Sequence, residues 1–280
     1  YNYMIFLSFL HFLFTSFGTR ILLGFGVFKY KDAPLSGVLP VSLGSLLSVG
    51  FMNLNLANNS VGFYQLSKLA CIPVTLIIQF IAYRTRVPIS VQLTLIPITF
   101  GVGYTTVHDL EINFVGLVFA TVAVVATSLS QIFTSTYQKS LDCNALQLLY
   151  HTSPIIAVGL LVMCPLFDDV TALQNHRMTS ECLGRILLSC AFALGVNISN
   201  YLVLGKTSPL TYQVLGHLKT VLILILGFTV FNKPFDLQQG IGIFIAMTGV
   251  IAYTEVRRRN APSPSQNSSE SGKSSTSDKG

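Results

Sequence analysis

The sequence is poor in charge and has no acidic residue deep inside its apolar runs. Asp, Glu, Lys and Arg together make up 10% of the 280 residues. A soluble domain typically carries about 25% charged residues. With 51% apolar residues and a mean hydropathy of +0.62, the composition excludes an ordinary soluble domain and indicates a membrane protein.

The five cysteines follow no spacing typical of a disulfide framework or a metal site. We therefore expect no metal site. We also expect no cofactor and no catalytic residue, and the protein is not expected to be an enzyme. The formal net charge of +6 could suggest a nucleic-acid partner. The basic residues, however, stand at the ends of apolar runs and in the C-terminal segment, where they act as topology signals, so we expect no nucleic acid.

Nine apolar stretches are long enough to approach the roughly 20 residues of a membrane-spanning helix. They predict an all-α polytopic membrane protein with a transmembrane domain over residues 1–256. Residues 257–280 are basic and rich in Ser, and we expect a disordered cytosolic tail there. The nine stretches are 4–28, 35–57, 60–82, 90–107, 113–136, 145–166, 183–204, 208–231 and 236–254.

The distribution of Lys and Arg predicts the orientation, because these residues accumulate in cytosolic loops. With Arg257–Arg259 in the cytosol, the loops that carry Lys29, Arg84, Lys139 and Lys206 also become cytosolic. The opposite side then receives mainly acidic loops. Residue 1 falls on the non-cytosolic side, and the chain starts with Tyr1 rather than Met, so we expect that a first helix is missing from a ten-helix protein.

An internal repeat relates the two halves, about 1–107 and 113–256. Residues 56–80 align without a gap with 204–228, an offset of 148 positions, and Gly101-Val102 and Gly249-Val250 keep that offset. The offset spans five helices, an odd number, so the copies cross the membrane in opposite senses. Inverted repeats are typical of secondary transporters, whose substrate site lies near the midplane between the halves. The identities include Ser60/Ser208, Tyr64/Tyr212 and Gln65/Gln213.

Two lysines stand far inside apolar stretches. Lys68 follows Ser60 by eight residues and Lys219 follows Ser208 by eleven, which places them about 12 and 16 Å along their helices at 1.5 Å per residue. In a hydrocarbon core of about 30 Å both lie near the middle. With no carboxylate available as a partner, a mobile anion such as phosphate is the expected compensation. One lysine being neutral and merely packed is the opposing interpretation.

Because Lys219 corresponds to position 71 in the first copy, three positions from Lys68, the two lysines are expected to share one cavity. Polar neighbours could position the rest of a ligand. The stacking role of Tyr212 and the amides of the 197–200 segment are equally compatible with helix packing. The expected binding residues are Lys68, Lys219, Thr220, Tyr64, Tyr212, Gln65, Gln213, His217, Asn197 and Asn200.

Two segments carry a family resemblance. Residues 204–220, LGKTSPLTYQVLGHLKT, closely resemble the ninth helix of the triose-phosphate translocator/nucleotide-sugar transporter family of the drug/metabolite transporter superfamily. Residues 59–68, NSVGFYQLSK, look like its fourth helix. The resemblance implies ten helices with both ends cytosolic and phosphate-binding roles for Lys68 and Lys219. Thr220 replaces the second basic residue of the plastid translocators, and the Lys-Thr form resembles Golgi carriers of UDP-sugars.

The resemblance implies exchange of a cytosolic UDP-sugar for lumenal UMP in the Golgi membrane. The missing carboxylates also favour such exchange over ion-driven symport. Two alternatives stay open: an exchanger of small phosphorylated metabolites, and a non-transporting scaffold built on the same fold. The sugar and assembly as a homodimer are left open, and the lipid bilayer is the expected environment.

Overall fold

The computed structural model describes residues 3–106, 113–169, 179–229 and 237–260, and within these ranges the regular secondary structure is entirely α-helical. Seven of the helices are long and apolar enough to cross a membrane, and α4 adds a shorter apolar segment, Ile89–Tyr104. The prediction of an all-α polytopic membrane protein is confirmed. The nine described helices are α1 Met4–Gly24, α2 Leu35–Asn58, α3 Val61–Tyr83, α4 Ile89–Thr106, α5 Phe114–Ser140, α6 Ala145–Phe167, α7 Ser180–Lys206, α8 Pro209–Thr229 and α9 Leu237–Arg259.

Each predicted apolar stretch corresponds to one helix, but several boundaries move. Helix α1 ends at Gly24, four residues before the predicted end, and Gly26 then adopts a positive φ of 73° in the following turn. Helices α5 and α9 continue beyond their apolar parts to Ser140 and Arg259, because polar residues still form backbone hydrogen bonds after the apolar run has ended. Residues 257–259, which the sequence assigned to the predicted tail, are therefore helical. Residues 261–280 lie outside the described part of the chain.

The serine pair of the sequence repeat has a structural role in both copies. The Ser60 hydroxyl accepts a hydrogen bond from the backbone N–H of Phe63 at 3.2 Å, at the start of α3. The Ser208 hydroxyl accepts one from the N–H of Thr211 at 3.3 Å, at the start of α8. Both serines satisfy an otherwise unpaired donor of a first helical turn. The identity at this position therefore marks the same helix start in each half.

Helix packing also follows the repeat. Helix α1 packs on α6, α3 contacts α8, and α4 packs on α9, and each of these pairs consists of a helix and the one five positions later. The contact of α1 with α7 has its counterpart in the contact of α2 with α6. The halves α1–α4 and α5–α9 are therefore joined by symmetry-related contacts, as the inverted repeat predicts.

The crossing of α4 and α9 shows this symmetry at the level of single atoms. A Cβ placed on Gly101 would lie 2.5 Å from the backbone nitrogen of Ala246. A Cβ placed on Gly249 would lie 2.8 Å from the backbone nitrogen of Ile98. At the repeat offset of 148 residues, Gly101 corresponds to Gly249 and Ile98 corresponds to Ala246. The two close approaches are therefore equivalent contacts in the two halves. Glycine is needed at both positions because the helix backbones approach too closely for a side chain.

Candidate functional site

A cavity of about 350 Å³ opens between α2 and α3 of the first half and α5 and α8 of the second. We call it the charged cavity, because it is lined by both lysines singled out in the sequence. Its lining also contains hydroxyl, amide and imidazole groups, and no Asp or Glu. The lining residues are Ser48, Val49, Met52, Asn53, Tyr64, Lys68, Cys71, Thr127, Gln131, Tyr212, Gln213, Gly216, His217, Lys219 and Thr220.

The two lysines differ in their surroundings. Lys68 is half-buried, and its Nζ lies 4.1 Å from the centre of the Tyr64 ring. Lys219 lines the cavity and is exposed, although its depth in the helix suggested burial. Among the described residues neither lysine forms a salt bridge; the ion pairs found there involve other cations. An aromatic face compensates an ammonium only in part, so the cavity retains a net positive charge.

Gln213 links three of the four helices that line the charged cavity. Its Nε2 donates to the Thr75 hydroxyl at 2.7 Å, to the Gln131 side-chain oxygen at 2.8 Å and, more weakly, to the Cys71 carbonyl at 3.4 Å. These bonds join α8 to α3 and α5. The buried Oε1 of Gln213 has no hydrogen-bond partner in the described part of the chain. A buried oxygen without a partner costs free energy.

Helix α8 presents a bare stretch of backbone to the charged cavity. A Cβ placed on Gly216 would meet no atom within 4 Å. Gly216 lies one turn after Tyr212 and one turn before Thr220, on the same helix face. The Thr220 hydroxyl donates back to the Gly216 carbonyl at 3.3 Å. A ligand can therefore lie directly against the helix between the tyrosine and the threonine.

A second cavity, of about 210 Å³, adjoins the charged one. We call it the neutral cavity, because its lining contains no charged side chain. Ser48, Val49, Thr127, Gln131 and Tyr212 line both cavities, so the two cavities lie next to each other. The remaining lining residues of the neutral cavity are Phe12, Ser45, Ser130, Thr134, Asn197, Asn200, Tyr201 and Leu204.

The two asparagines of α7 have different environments in the neutral cavity. Asn197 donates from Nδ2 to the Thr15 hydroxyl on α1 at 3.0 Å, so it joins two helices as well as lining the cavity. For the side-chain amide of Asn200, the described residues provide no hydrogen-bond partner. Asn200 therefore has its donor and its acceptor free for a ligand.

Nine of the ten predicted binding residues line one of the two cavities. Gln65 lines neither. The amide of Gln213, its counterpart in the repeat, is held at the charged cavity by Thr75 and Gln131, and Gln65 has no such anchor among the described residues. The predicted residues of the charged cavity are Lys68, Lys219, Thr220, Tyr64, Tyr212, Gln213 and His217; those of the neutral cavity are Asn197, Asn200 and again Tyr212.

The sequence analysis missed the contribution of α2 and α5. Ser48 and Thr127 lie at the junction of the cavities and hydrogen-bond to each other at 2.7 Å. Gln131 lines both cavities, and Asn53 lines the charged one. A signal was present in the sequence, because polar side chains are costly in an apolar span and tend to face a cavity or another helix. Gln131 is such a residue in the middle of α5.

The charged cavity suits an anion with several acceptor oxygens. Ammonium groups bind phosphate as point charges, and the hydroxyls and amides around them can donate further hydrogen bonds. Among the described residues no group of three or more His, Cys, Asp or Glu side chains could hold a metal ion.

Comparison with known proteins gives one family and several close relatives. Residues 1–254 match the Triose-phosphate Transporter family. UDP-xylose transporter 3 of Arabidopsis thaliana is 39% identical over 247 residues, which cover 87% of this chain and 69% of the relative. UDP-xylose transporter 1 of the same plant is 40% identical over 230 residues, covering 81% and 67%. Its UDP-rhamnose/UDP-galactose transporter 1 is 36% identical over 260 residues, covering 90% and 75%.

Proposed function

The chain belongs to the Triose-phosphate Transporter family, and from this premise we propose that it carries a nucleotide sugar, a UDP-sugar, across a membrane in exchange for UMP. Lys68 and Lys219 hold the phosphates of either ligand. The observation that carries the proposal is that both lysines line one cavity between the two halves, with no carboxylate in its lining.

Charge balance supports exchange of one anion for another. Two ammonium groups in an apolar environment are costly when no anion is bound. When the nucleotide sugar leaves, the two ammonium groups are again without an anion and the free-energy cost returns. Binding of a nucleoside monophosphate removes this cost. Either ligand therefore lowers the free energy of a closed site, and the empty site disfavours closing. Strict exchange follows if the empty carrier reorients slowly.

The position of the site supports alternating access. Helices of both halves line the charged cavity, and the halves meet again at the crossing of α4 and α9. Rocking of the halves about their shared contacts would expose the lysines to one side of the membrane and then to the other. The chemistry is then confined to binding and release, which agrees with a transporter rather than an enzyme.

The size and composition of the site favour a nucleotide sugar over a small phosphorylated metabolite. A triose phosphate would occupy the charged cavity alone. The neutral cavity adds about 210 Å³ without adding a charge, and Thr220 stands where the plastid translocators have a second basic residue. The retained lysine pair argues against a scaffold that no longer transports. The relatives carry UDP-xylose, UDP-rhamnose and UDP-galactose by name, and these are the sugars to test first.

We further propose a Golgi or related endomembrane location, with the basic ends of the helices in the cytosol. The described basic residues at that end include Lys31, Lys139, Lys206 and Arg257–Arg259. The opposite end carries Asp168, Asp169 and Glu181. Lys and Arg favour the cytosolic side, so the C-terminus would be cytosolic, as predicted from the sequence. The loop residues Asp109, Glu111, Arg177 and Lys233 lie outside the described residues.

The decisive experiment is uptake into proteoliposomes that contain the purified protein. Vesicles preloaded with UMP should accumulate a radiolabelled UDP-sugar, and vesicles without UMP should not. UDP-xylose, UDP-galactose, UDP-rhamnose and triose phosphate form the test panel. Absence of UMP stimulation with every UDP-sugar would refute the proposal, and stimulation by triose phosphate alone would favour the small-metabolite alternative.

Variants of Lys219 test the anion site. A charged hydrogen bond contributes about 1.5–3 kcal/mol, so Lys219→Ala should weaken UMP binding by about 10- to 100-fold. Lys219→Arg, which keeps the positive charge, should lose less affinity for UMP. Lys206→Ala is the matched control, because Lys206 is an exposed cation that lines neither cavity. Unchanged UMP affinity in Lys219→Ala would contradict the assignment of this lysine to the binding site.

A further inference from the structure

A groove on the outside of the helix bundle follows the turn between α3 and α4. Its volume is about 850 Å³, more than twice the volume of about 350 Å³ of the charged cavity. Its described lining residues belong to neither of the two cavities between the halves. We call it the hairpin groove. It is lined by Leu76, Ile77, Phe80, Ile81, Thr85, Arg86, Val87, Pro88, Ile89 and Gln92.

The walls of the hairpin groove are apolar and reach into the membrane. Ile77, Phe80 and Ile81 are exposed on α3, and Ile89 is exposed at the start of α4. Ile77 lies six residues before the end of α3 at Tyr83, which corresponds to about 9 Å along the helix axis. The groove therefore runs from the turn into the hydrocarbon core, where an acyl chain is the expected neighbour of these side chains.

Arg86 gives the outer end of the hairpin groove a positive charge. Its guanidinium carbon lies 5.8 Å from the centre of the Phe80 ring, and such a contact compensates a cation only in part. Among the described residues that line the groove there is no Asp or Glu. In the same described ranges Arg86 takes part in no salt bridge. The guanidinium therefore keeps donors for an anion.

The carboxylate of the adjacent helix end is already paired. Asn260 donates from Nδ2 to the Ser90 hydroxyl at 3.4 Å, which brings the end of α9 beside the start of α4. Glu255 of α9 accepts hydrogen bonds from Arg258 at 3.0 Å and from Arg259 at 2.7 Å. Since two arginines share this one carboxylate, the region beside the groove carries an excess of positive charge.

We propose that the hairpin groove binds an anionic phospholipid, with the lipid phosphate at Arg86 and an acyl chain along the wall formed by Ile77 and Ile81. A guanidinium can direct two N–H donors at two phosphate oxygens. Basic pockets between spanning helices on the cytosolic side are typical sites for anionic head groups, and the turn lies at the end proposed to be cytosolic.

The composition of the groove favours an anionic lipid over a zwitterionic one. The phosphate of phosphatidylcholine is balanced by its own choline cation, which would lie near Arg86 and find no carboxylate among the described lining residues. Phosphatidylinositol has the same phosphate without a cation. The inference goes beyond the proposed exchange, because it requires only that the protein is embedded in a membrane.

A second copy of the chain is the competing occupant of the hairpin groove. A two-fold interface brings identical surfaces together, so two grooves that face each other would bring Arg86 of one copy close to Arg86 of the other. Like charges placed together across an interface are costly. A lipid phosphate, in contrast, compensates the arginine.

Native mass spectrometry of the purified protein in detergent counts bound lipids and reads the oligomeric state in the same measurement. The probes are phosphatidylinositol and phosphatidylcholine with identical acyl chains, titrated separately. The wild type should bind the first phosphatidylinositol about 10-fold more tightly than phosphatidylcholine, the effect of one charged hydrogen bond. Equal affinity for the two lipids would overturn the inference.

Arg86→Gln tests the phosphate contact. It should weaken phosphatidylinositol binding by about 10-fold or more and affect phosphatidylcholine much less. Arg84→Gln is the matched control, because it removes the same charge from the same turn and Arg84 does not line the groove. Its loss should stay below about 5-fold, the effect of one basic residue near a membrane surface. Equal losses in the two variants would refute a specific site at Arg86.

Ile77→Trp tests the apolar wall, because the larger side chain fills the groove. It should weaken phosphatidylinositol binding by about 4-fold for each CH₂ group that it displaces. Leu93→Trp is the matched control, since Leu93 is similarly exposed on α4 and lies outside the lining. Equal effects of the two tryptophan variants would contradict the placing of the acyl chain.

Two further outcomes would reject the proposal. Soluble glycerophosphoinositol has no acyl chain and should not displace the lipid at equal concentration; displacement would show that the groove contributes nothing. A dimer that Arg86→Gln or Ile77→Trp disrupts, with lipid binding unchanged, would assign the groove to a second copy. None of these measurements depends on transport, so failure of nucleotide-sugar exchange rejects the proposed function and leaves the lipid site to its own test.

Discussion

The close crossing of α4 and α9 makes a quantitative prediction about stability. In Gly101→Ala the new Cβ would lie 2.5 Å from the backbone nitrogen of Ala246 and 2.6 Å from the carbonyl oxygen of Gly242. Ordinary contact begins at 3.4 Å, so the helices must separate by 3.4 minus 2.5, or 0.9 Å. Both obstructing atoms belong to backbone and cannot rotate away. Overpacking of this kind costs about 1–3 kcal/mol.

The matched control is Gly195→Ala in α7, where an added Cβ meets nothing within 4 Å. Replacing glycine by alanine inside a helix contributes about 1 kcal/mol of helix propensity. Since both variants gain this term, the difference between them isolates the clash. We expect Gly101→Ala to be less stable than Gly195→Ala by about 1–3 kcal/mol, and Gly195→Ala to be at least as stable as the wild type.

Thermal stability of the detergent-solubilised protein provides the assay. Samples are heated, and the monodisperse fraction is followed by size-exclusion chromatography of a tagged protein, since the chain has no tryptophan for intrinsic fluorescence. A midpoint for Gly101→Ala equal to or above that of Gly195→Ala would refute the close approach. The repeat adds a second check, because Gly249→Ala disturbs the same crossing. The double variant Gly101→Ala/Gly249→Ala should therefore lose less stability than the sum of the losses in the two single variants.

Two further predictions concern single contacts. Tyr64→Phe should keep the affinity for UMP, because the ring that lies over the Lys68 ammonium is retained. Tyr64→Leu should weaken UMP binding by about 2- to 30-fold, the range of a cation–π contact. Equal UMP binding by both variants would show that the ring does not hold the lysine. Asp168 accepts hydrogen bonds from the N–H groups of Ile5 and Phe6 at 3.4 and 2.7 Å, so Asp168→Ala should destabilise the protein by about 0.5–2 kcal/mol in the same thermal assay. Asp168→Asn, which keeps an acceptor, should lose less, and a wild-type midpoint for Asp168→Ala would contradict the capping role.

The repeat was the part of the sequence that predicted most about the site. Its register placed Lys68 and Lys219 within one helical turn of each other in the superposed halves, and the structure brings both to one cavity. It also identified Ser60 and Ser208, which begin equivalent helices. Matching positions in two copies of one fold have the same local role, so identities between them report local structure directly.

The same reasoning failed where the two halves differ in their neighbours. Gln65 and Gln213 are identical in the repeat, but only Gln213 has hydrogen-bond partners on α3 and α5 that hold it at the cavity. Lys219 was expected to be buried and is exposed. Gln131 was not identified at all, although it lines both cavities.

The sequence by itself determined the number of apolar helices in the described ranges, the scarcity of carboxylates inside them and the relation between the halves. These features depend on the length of apolar runs and on local hydrogen bonds, which neighbouring residues in the chain decide. Only the tertiary structure decided which side of each helix faces the cavities. In a soluble protein the polar face of a helix reveals its orientation, but lipid and protein interior are both apolar, so the pattern along a spanning helix does not distinguish them. The rotation of each helix, and with it the placing of Gln131, Asn200 and the bare backbone at Gly216, follows from packing against helices distant in the chain.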